Sequence, residues 1–325
     1  SITWQGAALR LCVKQKRNSL SCVMKFVILL MATSVASFAQ IHHPKFDVQG
    51  HRGARGLKPE NTIPAFLAAL DYGVTTLELD LAITKDKKVI VSHEPWMSAA
   101  ICTQPDGQPI EAKTEMAYNI YQMTYDEVKQ FDCGSKGNAR FPEQEKMAVH
   151  KPLLRDVIAA VEDHIKSFSR YEVDYNIEIK SLPAGDNKFH PVPAEFSDVV
   201  YQLIDQYLPW ERVVIQSFDF RVLKYWHEKY PEVRLAALVE NKKSIDENLA
   251  ELGFQPAIYS PDFKLLDREK VKYLKKLKMR VIPWTVNEEK DMLAIKGMGV
   301  DGFITDYPDR AAKYKMTLSI KREEK

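Results

Sequence analysis

HRGARGLKPENTIPAFLAALDYGVTTLELDLAI, residues 51–83, contains the polar end of one strand, a loop, a helix and a complete second strand. The segment TIPAFLAAL is apolar with helical character, whereas TTLELDLAI is rich in residues that favour strands. A strand followed by a helix and another strand is typical of a βαβ unit, which joins neighbouring parallel strands.

The same alternation continues to the end of the chain. Further helices are predicted at 152–166, 195–208, 220–229, 244–252, 267–278 and 288–297. Strand-like segments lie near 46–51, 75–83, 89–93, 174–180, 212–217, 234–239, 257–260, 280–286 and 302–305. These segments are one more than an eight-stranded barrel needs, and we expect 257–260 to be the irregular one. The sequence predicts an α/β fold, a (β/α)8 TIM barrel.

Two polar residues stand where helix caps are expected. Asn61 precedes the run TIPAFLAAL, and Asp306 stands two residues before Pro308 and the terminal helix. Asn and Asp side chains accept hydrogen bonds from the free N–H groups of a first helical turn. We therefore predict that both residues cap helices.

The regular alternation is interrupted between about 96 and 150. This stretch contains the turn-forming segments PDG, GSKG and FPEQ and little periodicity. We interpret it as a subdomain inserted after the third strand and as a candidate wall of the active site, because long insertions are often functional. It contains Cys102 and Cys133, whose spacing is compatible with a disulfide and equally with two unpaired thiols.

Residues 24–39, MKFVILLMATSVASFA, have the layout of a signal peptide that is cut before Gln40. The alternative, a membrane-spanning helix, needs about 20 apolar residues, and polar side chains interrupt this run. We interpret residues 1–23 as an upstream extension that is not mature protein, and residues 40–325 as the barrel. The protein is expected to be exported, to a periplasmic or extracellular compartment, without a stable membrane anchor.

The charge of the mature chain argues against polyanionic partners. Removal of residues 1–39 takes five of the 46 basic residues and none of the 44 acidic ones, so the net charge becomes about −3. A chain with this charge has no general attraction for nucleic acid or an anionic membrane. The sequence leaves the oligomeric state open.

Two carboxylates alternate along the second strand. Glu78 and Asp80 are two residues apart, so their side chains share one face, and Glu178 ends a later strand. Convergent carboxylates inside a barrel are costly unless a cation neutralises them, and hard oxygen ligands favour Mg²⁺ or Ca²⁺. The alternatives are pairing of Glu78 or Asp80 with a buried Arg or Lys, and pairing of Glu178 with Lys180.

Two histidines end predicted strands. His51 and His93 can provide a general base and a general acid near neutral pH, although each alone is more often a hydrogen-bonded structural residue. Arg52 can hold a phosphate oxygen, or form a surface salt bridge. No Gly-x-Ser-x-Gly elbow, P-loop or dinucleotide fingerprint occurs. The remaining chemistry, a metal with histidines and cations, suits phosphoryl transfer.

Seven motifs occur in an order that resembles the glycerophosphodiester phosphodiesterase family, in the phosphatidylinositol-specific phospholipase C-like phosphodiesterase superfamily. The motifs are HRGARGLKPENT (51–62), ELDLAIT (78–84), VSHEP (91–95), NIEIK (176–180), QSFD (216–219), PWTVN (283–287) and DGFITDYP (301–308). The resemblance implies metal-dependent hydrolysis of glycerophosphodiesters to sn-glycerol 3-phosphate and an alcohol. It also implies attack by the substrate's own neighbouring hydroxyl, through a cyclic phosphate that water opens.

The resemblance also implies roles for individual residues. His51 and His93 match the acid/base histidines, and one divalent cation, Mg²⁺ or Ca²⁺, is implied at the three carboxylates. Those ligands are Glu78, Asp80 and Glu178. The residues implied to contact substrate are Arg52 and Lys180 near the phosphate and Trp284 at the glycerol end.

The chain departs from the family pattern after His93, where Glu94 and WMSAAIC (96–102) replace an Asp and an Arg-Thr pair. We therefore expect the alcohol pocket to differ. One alternative is a phospholipase D-like enzyme acting on lysophospholipids or sphingolipids, another a non-catalytic phosphodiester-binding barrel. The first needs an apolar entrance, which could be lined by Trp96, Met97, Ile101, Met116 and Tyr118, residues that ordinary packing also explains.

Overall fold

The computed structural model describes residues 44–169 and 171–320. Its strands are β1 (Asp47–Gly50), β2 (Thr76–Ile83), β3 (Val89–Val91), β4 (Asp174–Ile179), β5 (Val213–Ser217), β6 (Arg234–Val239), β7 (Ile258–Pro261), β8 (Arg280–Val281) and β9 (Gly302–Thr305). Neighbouring strands follow the order β8, β7, β6, β5, β4, β2, β1, β9, and every pair along this path is parallel.

Backbone contacts bring the two ends of this sheet together. The N–H of Asp301 donates to the carbonyl of Val281 at 3.0 Å, and that of Ile304 donates to the carbonyl of Pro283 at 2.9 Å. The eight parallel strands therefore form a nearly closed barrel, which confirms the predicted TIM barrel.

The prediction of which strand lies outside the barrel was wrong. Ile258–Pro261 is a barrel strand that pairs with both β6 and β8. The additional strand is β3, which pairs antiparallel with the last residues of β2. A short turn returns the chain along β2 after Ile83, so β3 belongs to a hairpin at the barrel mouth. His93 consequently follows a hairpin strand.

The helices pack around the outside of the barrel, except the second, which lies within the predicted insertion. They are α1 (Ile63–Asp71), α2 (Tyr125–Val128), α3 (Leu154–His164), α4 (Pro193–Tyr207), α5 (Phe220–Lys229), α6 (Ile245–Leu252), α7 (Arg268–Lys276), α8 (Glu289–Met298) and α9 (Pro308–Lys313). In the part of the chain that the structure describes, no helix has the length and hydropathy to cross a membrane. The predicted extension and signal peptide lie outside the described residues.

Both predicted helix caps were wrong. Thr62 caps α1 by accepting from the N–H of Ala65, while the Asn61 side chain donates to Asp80 at 2.9 Å. Tyr307 precedes α9, and Asp306 instead contacts His51. In both cases the side chain predicted to cap a helix instead contacts a buried ionisable residue, Asp80 for Asn61 and His51 for Asp306.

The interior of the barrel is divided into two kinds of surface. One side is filled by a small apolar cluster, Val214, Ala236, Ile258, Ile282 and Ile304. The other contains a chain of amides in which Asn176 donates to Gln49 and to Gln216, and Gln216 donates to Glu78 at 2.7 Å. A chain of side-chain hydrogen bonds therefore connects the barrel interior to the first predicted metal ligand, Glu78.

The predicted insertion packs around a second apolar core, which also includes Ala82 of β2, Ile90 of β3 and Leu153. Cys102 and Cys133 are joined by a disulfide, which settles the alternative that the sequence left open. Met97 and Ile101 are buried in this core, and Tyr118 packs against it. These three residues therefore pack inside the subdomain, which agrees with the alternative of ordinary packing and not with an apolar entrance.

Candidate active site

The predicted site residues meet at the carboxyl ends of the strands, around a cavity of about 630 Å³. Seven of them line it, namely His51, Arg52, Glu78, His93, Glu178, Lys180 and Trp284. Asp80, the eighth, lies beside this cavity with 1% of its surface exposed. Residues on β2 and β4 and in the segments after β1, β3, β4 and β8 thus converge, as the carboxyl ends of barrel strands do.

Glu78, Asp80 and Glu178 form a buried cluster of carboxylates. Glu78 and Asp80 share the inner face of β2, and Asp80 is paired in register with Glu178 on β4. One ligand oxygen from each residue lies within 4.8 Å of the others. Asp80 Oδ1 is buried without a hydrogen-bond donor, an unsatisfied acceptor that a bound cation would satisfy.

The protonation of this cluster reflects its burial. Burial raises the pKa of Glu178 to about 8, and burial together with the charge of Asp80 raises that of Glu78 well above its ordinary value. Although burial opposes it, the charges of His93 and Arg52 lower the pKa of Asp80. Three ionised carboxylates cannot share this volume without a cation, and hard divalent ions prefer such oxygen ligands.

The charges around the cluster support the same fit. Four cationic side chains lie in or beside the site, namely Arg52, Arg55, Lys151 and Lys180. Six carboxylates surround them, namely Glu60, Glu78, Asp80, Glu94, Glu178 and Asp306. One divalent cation would neutralise the excess of two negative charges, so these residues fit an ion such as Mg²⁺ or Ca²⁺.

One ring nitrogen of His51 contacts Asp306, and the other faces the carboxylate cluster. Its Nδ1 lies 2.7 Å from Asp306 Oδ1, and its Nε2 lies 3.9 Å from Glu78 Oε2. Burial, reinforced by the charge of Arg55, lowers the pKa of His51 to about 4. The imidazole is therefore neutral at physiological pH and able to accept a proton.

Arg52 links the loop after β1 to the carboxylates. Its backbone N–H donates to Glu78 Oε2 at 2.9 Å, and its guanidinium donates to Glu60 at 2.8 Å and lies 3.4 Å from Asp80. Arg52 is buried, which excludes the surface salt bridge that the sequence left as an alternative. The guanidinium adjoins the cavity, where it can also reach a bound phosphate.

His93 belongs to a second, more open arrangement. Its Nδ1 lies 2.6 Å from Glu94 Oε1, and its Nε2 lies 2.9 Å from Lys180 Nζ. Lys180 in turn lies 3.3 Å from Glu178, so the ion pair foreseen as an alternative is present beside the carboxylate cluster. Burial lowers the pKa of His93, whereas the charge of Glu178 raises that of Lys180 against the effect of burial.

Two pairs of aromatic side chains line the cavity. Trp284 donates from Nε1 to the carbonyl of Ser260 at 2.9 Å and packs edge-on against Phe218. On the insertion side, Trp96 packs edge-on against Phe189, with ring centroids 5.4 Å apart. Met116 and Leu182 lie at the cavity surface with half or more of their area exposed. The insertion therefore contributes to the cavity wall.

Sequence reasoning missed several residues of the site. Arg55, Glu60, Asn61, Asn287 and Asp306 all bond to predicted site residues or to one another, within motifs that the sequence displays. The signal was the position of Asn287 and Asp306 after late strands. Because His51 and Asp306 are separated by 255 residues, spacing alone could not join them.

Known proteins resemble the chain over most of its length. The model of the Glycerophosphoryl diester phosphodiesterase family matches residues 51–310. A glycerophosphodiester phosphodiesterase of Bacillus altitudinis is 30% identical over 269 residues, covering 82% of this chain and 96% of that protein. A lysophospholipase D of Rattus norvegicus is 23% identical, covering 83% of this chain and 86% of that protein.

Solved structures share the fold. One from Silicibacter pomeroyi, named for the same family, has a TM-score of 0.75 and 29% identity, covering 85% of this chain and 96% of that one. An Oleispira antarctica phosphodiesterase in complex with sn-glycerol-3-phosphate has a TM-score of 0.64 and 22% identity, covering 82% and 95%. The resemblance read from the motifs is confirmed: the chain belongs to the glycerophosphoryl diester phosphodiesterase family.

Proposed function

We propose that this protein hydrolyses glycerophosphodiesters to sn-glycerol 3-phosphate and an alcohol, using one divalent cation and the histidines His51 and His93. Membership of the family supports the hydrolysis. The observation that carries the finer proposal is the cluster of Glu78, Asp80 and Glu178, whose ligand oxygens lie within 4.8 Å of one another and include a buried acceptor without a donor. The small-molecule diester is the expected partner.

In this proposal the three carboxylates hold the cation, which would stabilise negative charge on the phosphate oxygens. Arg52 adds a second positive charge at the same group. His51, neutral and with Nε2 towards the cluster, removes the proton from the attacking glycerol hydroxyl. The oxygen–phosphorus bond that forms gives a cyclic phosphate as the bond to the alcohol breaks, and water then opens the ring.

His93 protonates the departing alcohol oxygen. Glu94 accepts from Nδ1, and Nε2 of the neutral ring accepts from Lys180, so His93 must first take up a proton at Nε2 before it can act as the acid. Lys180 also places a positive charge beside the phosphate that the cavity admits. Trp284 would pack against the glycerol, and Trp96 against the alcohol.

We further propose that the protein is exported to a periplasmic or extracellular compartment. The layout of residues 24–39 supports a cleaved signal peptide. The Cys102–Cys133 disulfide supports an oxidising compartment, because disulfides are rare where thiols are kept reduced.

A second candidate is a phospholipase D-like activity on lysophospholipids or sphingolipids. It is favoured by the exposure of Met116 (50%) and Leu182 (64%) beside Trp96 and Phe189, which gives the cavity an apolar entrance. The rat lysophospholipase D relative is consistent with it. The third reading, a barrel that binds without turnover, predicts binding but no product.

The experiment is a substrate panel after chelation. Protein stripped with a chelator is reloaded with Mg²⁺ or Ca²⁺ and given glycerophosphocholine, glycerophosphoethanolamine or lysophosphatidylcholine, with product identified by mass spectrometry. We expect sn-glycerol 3-phosphate from the first two only when metal is restored. Faster turnover of the lysolipid would favour the second candidate, and binding without product under both ions would favour the third.

A pair of variants on β4 provides the matched control. Glu178→Gln removes one metal ligand and should lower the apparent affinity for the ion by about 10-fold or more. Asp174→Asn alters a carboxylate at the opposite end of the same strand, where it pairs with Arg234, and should retain activity. Equal metal dependence in the two variants would contradict the proposed ligand set.

A further inference from the structure

Asp306 lies just beyond the end of β9, almost fully buried beside His51. Its Oδ1 lies 2.7 Å from His51 Nδ1 and accepts from Arg55 Nε at 2.7 Å. Its Oδ2 accepts from Arg55 Nη2 at 3.1 Å and from Asn287 Nδ2 at 2.7 Å. These donors favour the ionised carboxylate and fix its orientation from two separate segments of the chain.

The contacts of His51 Nδ1 determine which ring nitrogen carries the proton. Nδ1 lies 2.7 Å from Asp306 Oδ1 and 3.2 Å from Arg55 Nη2. A guanidinium only donates and a carboxylate only accepts, so a single protonation state cannot make both contacts hydrogen bonds. The shorter contact, to an ionised acceptor, requires a proton on Nδ1, and the longer one is then a contact between two donors.

We infer that Asp306 is a positioning residue that holds His51 in the tautomer with the free lone pair on Nε2. That nitrogen faces the carboxylate cluster, 3.9 Å from Glu78 Oε2. The inference rests on the proposed function, in which His51 Nε2 accepts the proton of the attacking hydroxyl. A carboxylate that orients a catalytic imidazole in this way acts through the histidine and does not touch the substrate.

Arg55 and Asn287, which form a clamp around the Asp306 carboxylate, are themselves held by other groups. The guanidinium of Arg55 lies over the ring of Phe141 at 4.6 Å, and Gln144 donates to the backbone carbonyl of Arg55 at 2.7 Å. The Asn287 side-chain oxygen accepts from the backbone N–H of Asp306 at 2.9 Å, while its amide donates to the carboxylate. The carboxylate therefore has little freedom to leave His51.

The first test is kinetic. Asp306→Asn keeps the shape of the side chain but can donate to Nδ1, which stabilises the opposite tautomer. We expect kcat to fall by about 10²–10⁴ with KM changed less than about 3-fold. The matched control is Asp47→Asn, a buried aspartate at the amino end of β1 that accepts from Gln49, Thr75 and Thr76. Equal kcat in the two variants would overturn the inference.

The second test reads the tautomer without any turnover. Two-bond ¹H–¹⁵N correlation spectra of histidine-labelled protein, recorded with Mg²⁺ or Ca²⁺, distinguish the two neutral tautomers, and His51→Gln assigns the signal. We expect a protonated Nδ1 and a free Nε2 in the native protein. A protonated Nε2 there, or an unchanged tautomer in a folded Asp306→Asn variant, would contradict the assignment.

A third variant covers the case in which Asp306→Asn does not fold. Asn287→Ala leaves the carboxylate in place but removes one of its donors, and we expect kcat to fall about 3- to 30-fold by loss of one charge-assisted hydrogen bond. Unchanged kcat in Asn287→Ala would argue against the clamp. A native protein that hydrolyses no glycerophosphodiester would refute the proposed function, whereas the tautomer result would stand independently.

Discussion

The two histidines of the site are held in different ways. His51 is fixed by Asp306, which lies 255 residues away and is itself held by Arg55 and Asn287. His93 is held by the adjacent Glu94, whose side chain is 35% exposed, and by Lys180. The first environment is the more buried of the two, while the second combines an adjacent residue with one that follows β4 and is more exposed.

This difference corresponds to the two ends of the proposed substrate. The glycerol end is common to every glycerophosphodiester, and a rigid, buried base suits a constant nucleophile. The alcohol end varies, and the residues near His93 belong to the segment where the sequence departs from its family. Because His93 is more exposed, the residues around it can change to suit another leaving group without disturbing the barrel.

The largest expected effect comes from removing either histidine, and it tests whether His51 and His93 have different roles. His51→Ala and His93→Ala should each lower kcat by about 10²–10⁴ on glycerophosphocholine. A glycerophosphodiester with a p-nitrophenol leaving group needs no acid, so it should restore much of the rate to His93→Ala alone. Rescue of His51→Ala instead would reverse the roles, and near-normal turnover of both variants would refute the mechanism.

Metal removal should affect both regions, because the carboxylate cluster lies beside both histidines. Burial raises the pKa of Glu178 to about 8 in the folded protein, against an ordinary value of 4.5. The folded state then binds more protons than the unfolded state between these values, so the stability of metal-free protein should fall as pH rises from 5 to 8. Calorimetry should show Tm falling by about 5–10 °C.

Two controls sharpen this measurement. Saturating Mg²⁺ or Ca²⁺ should flatten the pH dependence, since the bound ion favours the ionised carboxylate. Glu178→Gln should weaken it, because the amide does not titrate. A constant Tm across the same range in stripped native protein would show that Glu178 is not the buried, shifted group that we describe.

The two aromatic pairs should separate the two ends of the substrate. Trp96→Ala should change the ratio of kcat/KM between glycerophosphocholine and glycerophosphoethanolamine by about 10-fold, whereas Trp284→Ala should lower both values equally. A change in alcohol preference in Trp284→Ala, with none in Trp96→Ala, would mean that Trp284 contacts the alcohol and Trp96 the glycerol. Steady-state kinetics on the two substrates is sufficient.

The smallest expected effect on turnover concerns the disulfide. Replacing Cys102 and Cys133 by Ser opens a loop closed across 31 residues, which should lower stability by about 3–4 kcal/mol. Because neither cysteine lines the cavity, kcat should fall less than about 3-fold. Thermal unfolding and kcat on glycerophosphocholine are the measurements, and unchanged stability with a large loss of kcat would contradict this division.

The sequence predicted the barrel and the residues of the site better than it predicted their partners. Alternation of strands and helices is a local property, and so is the period of two that places Glu78 and Asp80 on one face. The irregular strand was misassigned because a hairpin strand and a barrel strand have similar composition. Asn61 and Asp306 were misassigned because Asn and Asp before a helix fit a cap equally well, and only tertiary contacts show which partner wins.

The position of β1 between β2 and β9 has a consequence for biosynthesis. His51 is synthesised 255 residues before Asp306, so a nascent chain contains all three carboxylates of the cluster before the partner of His51 has been made. Proteolysis that removes the last strand would leave the same incomplete site. The proposed base would therefore be positioned only after the strand that pairs with β1 has been made.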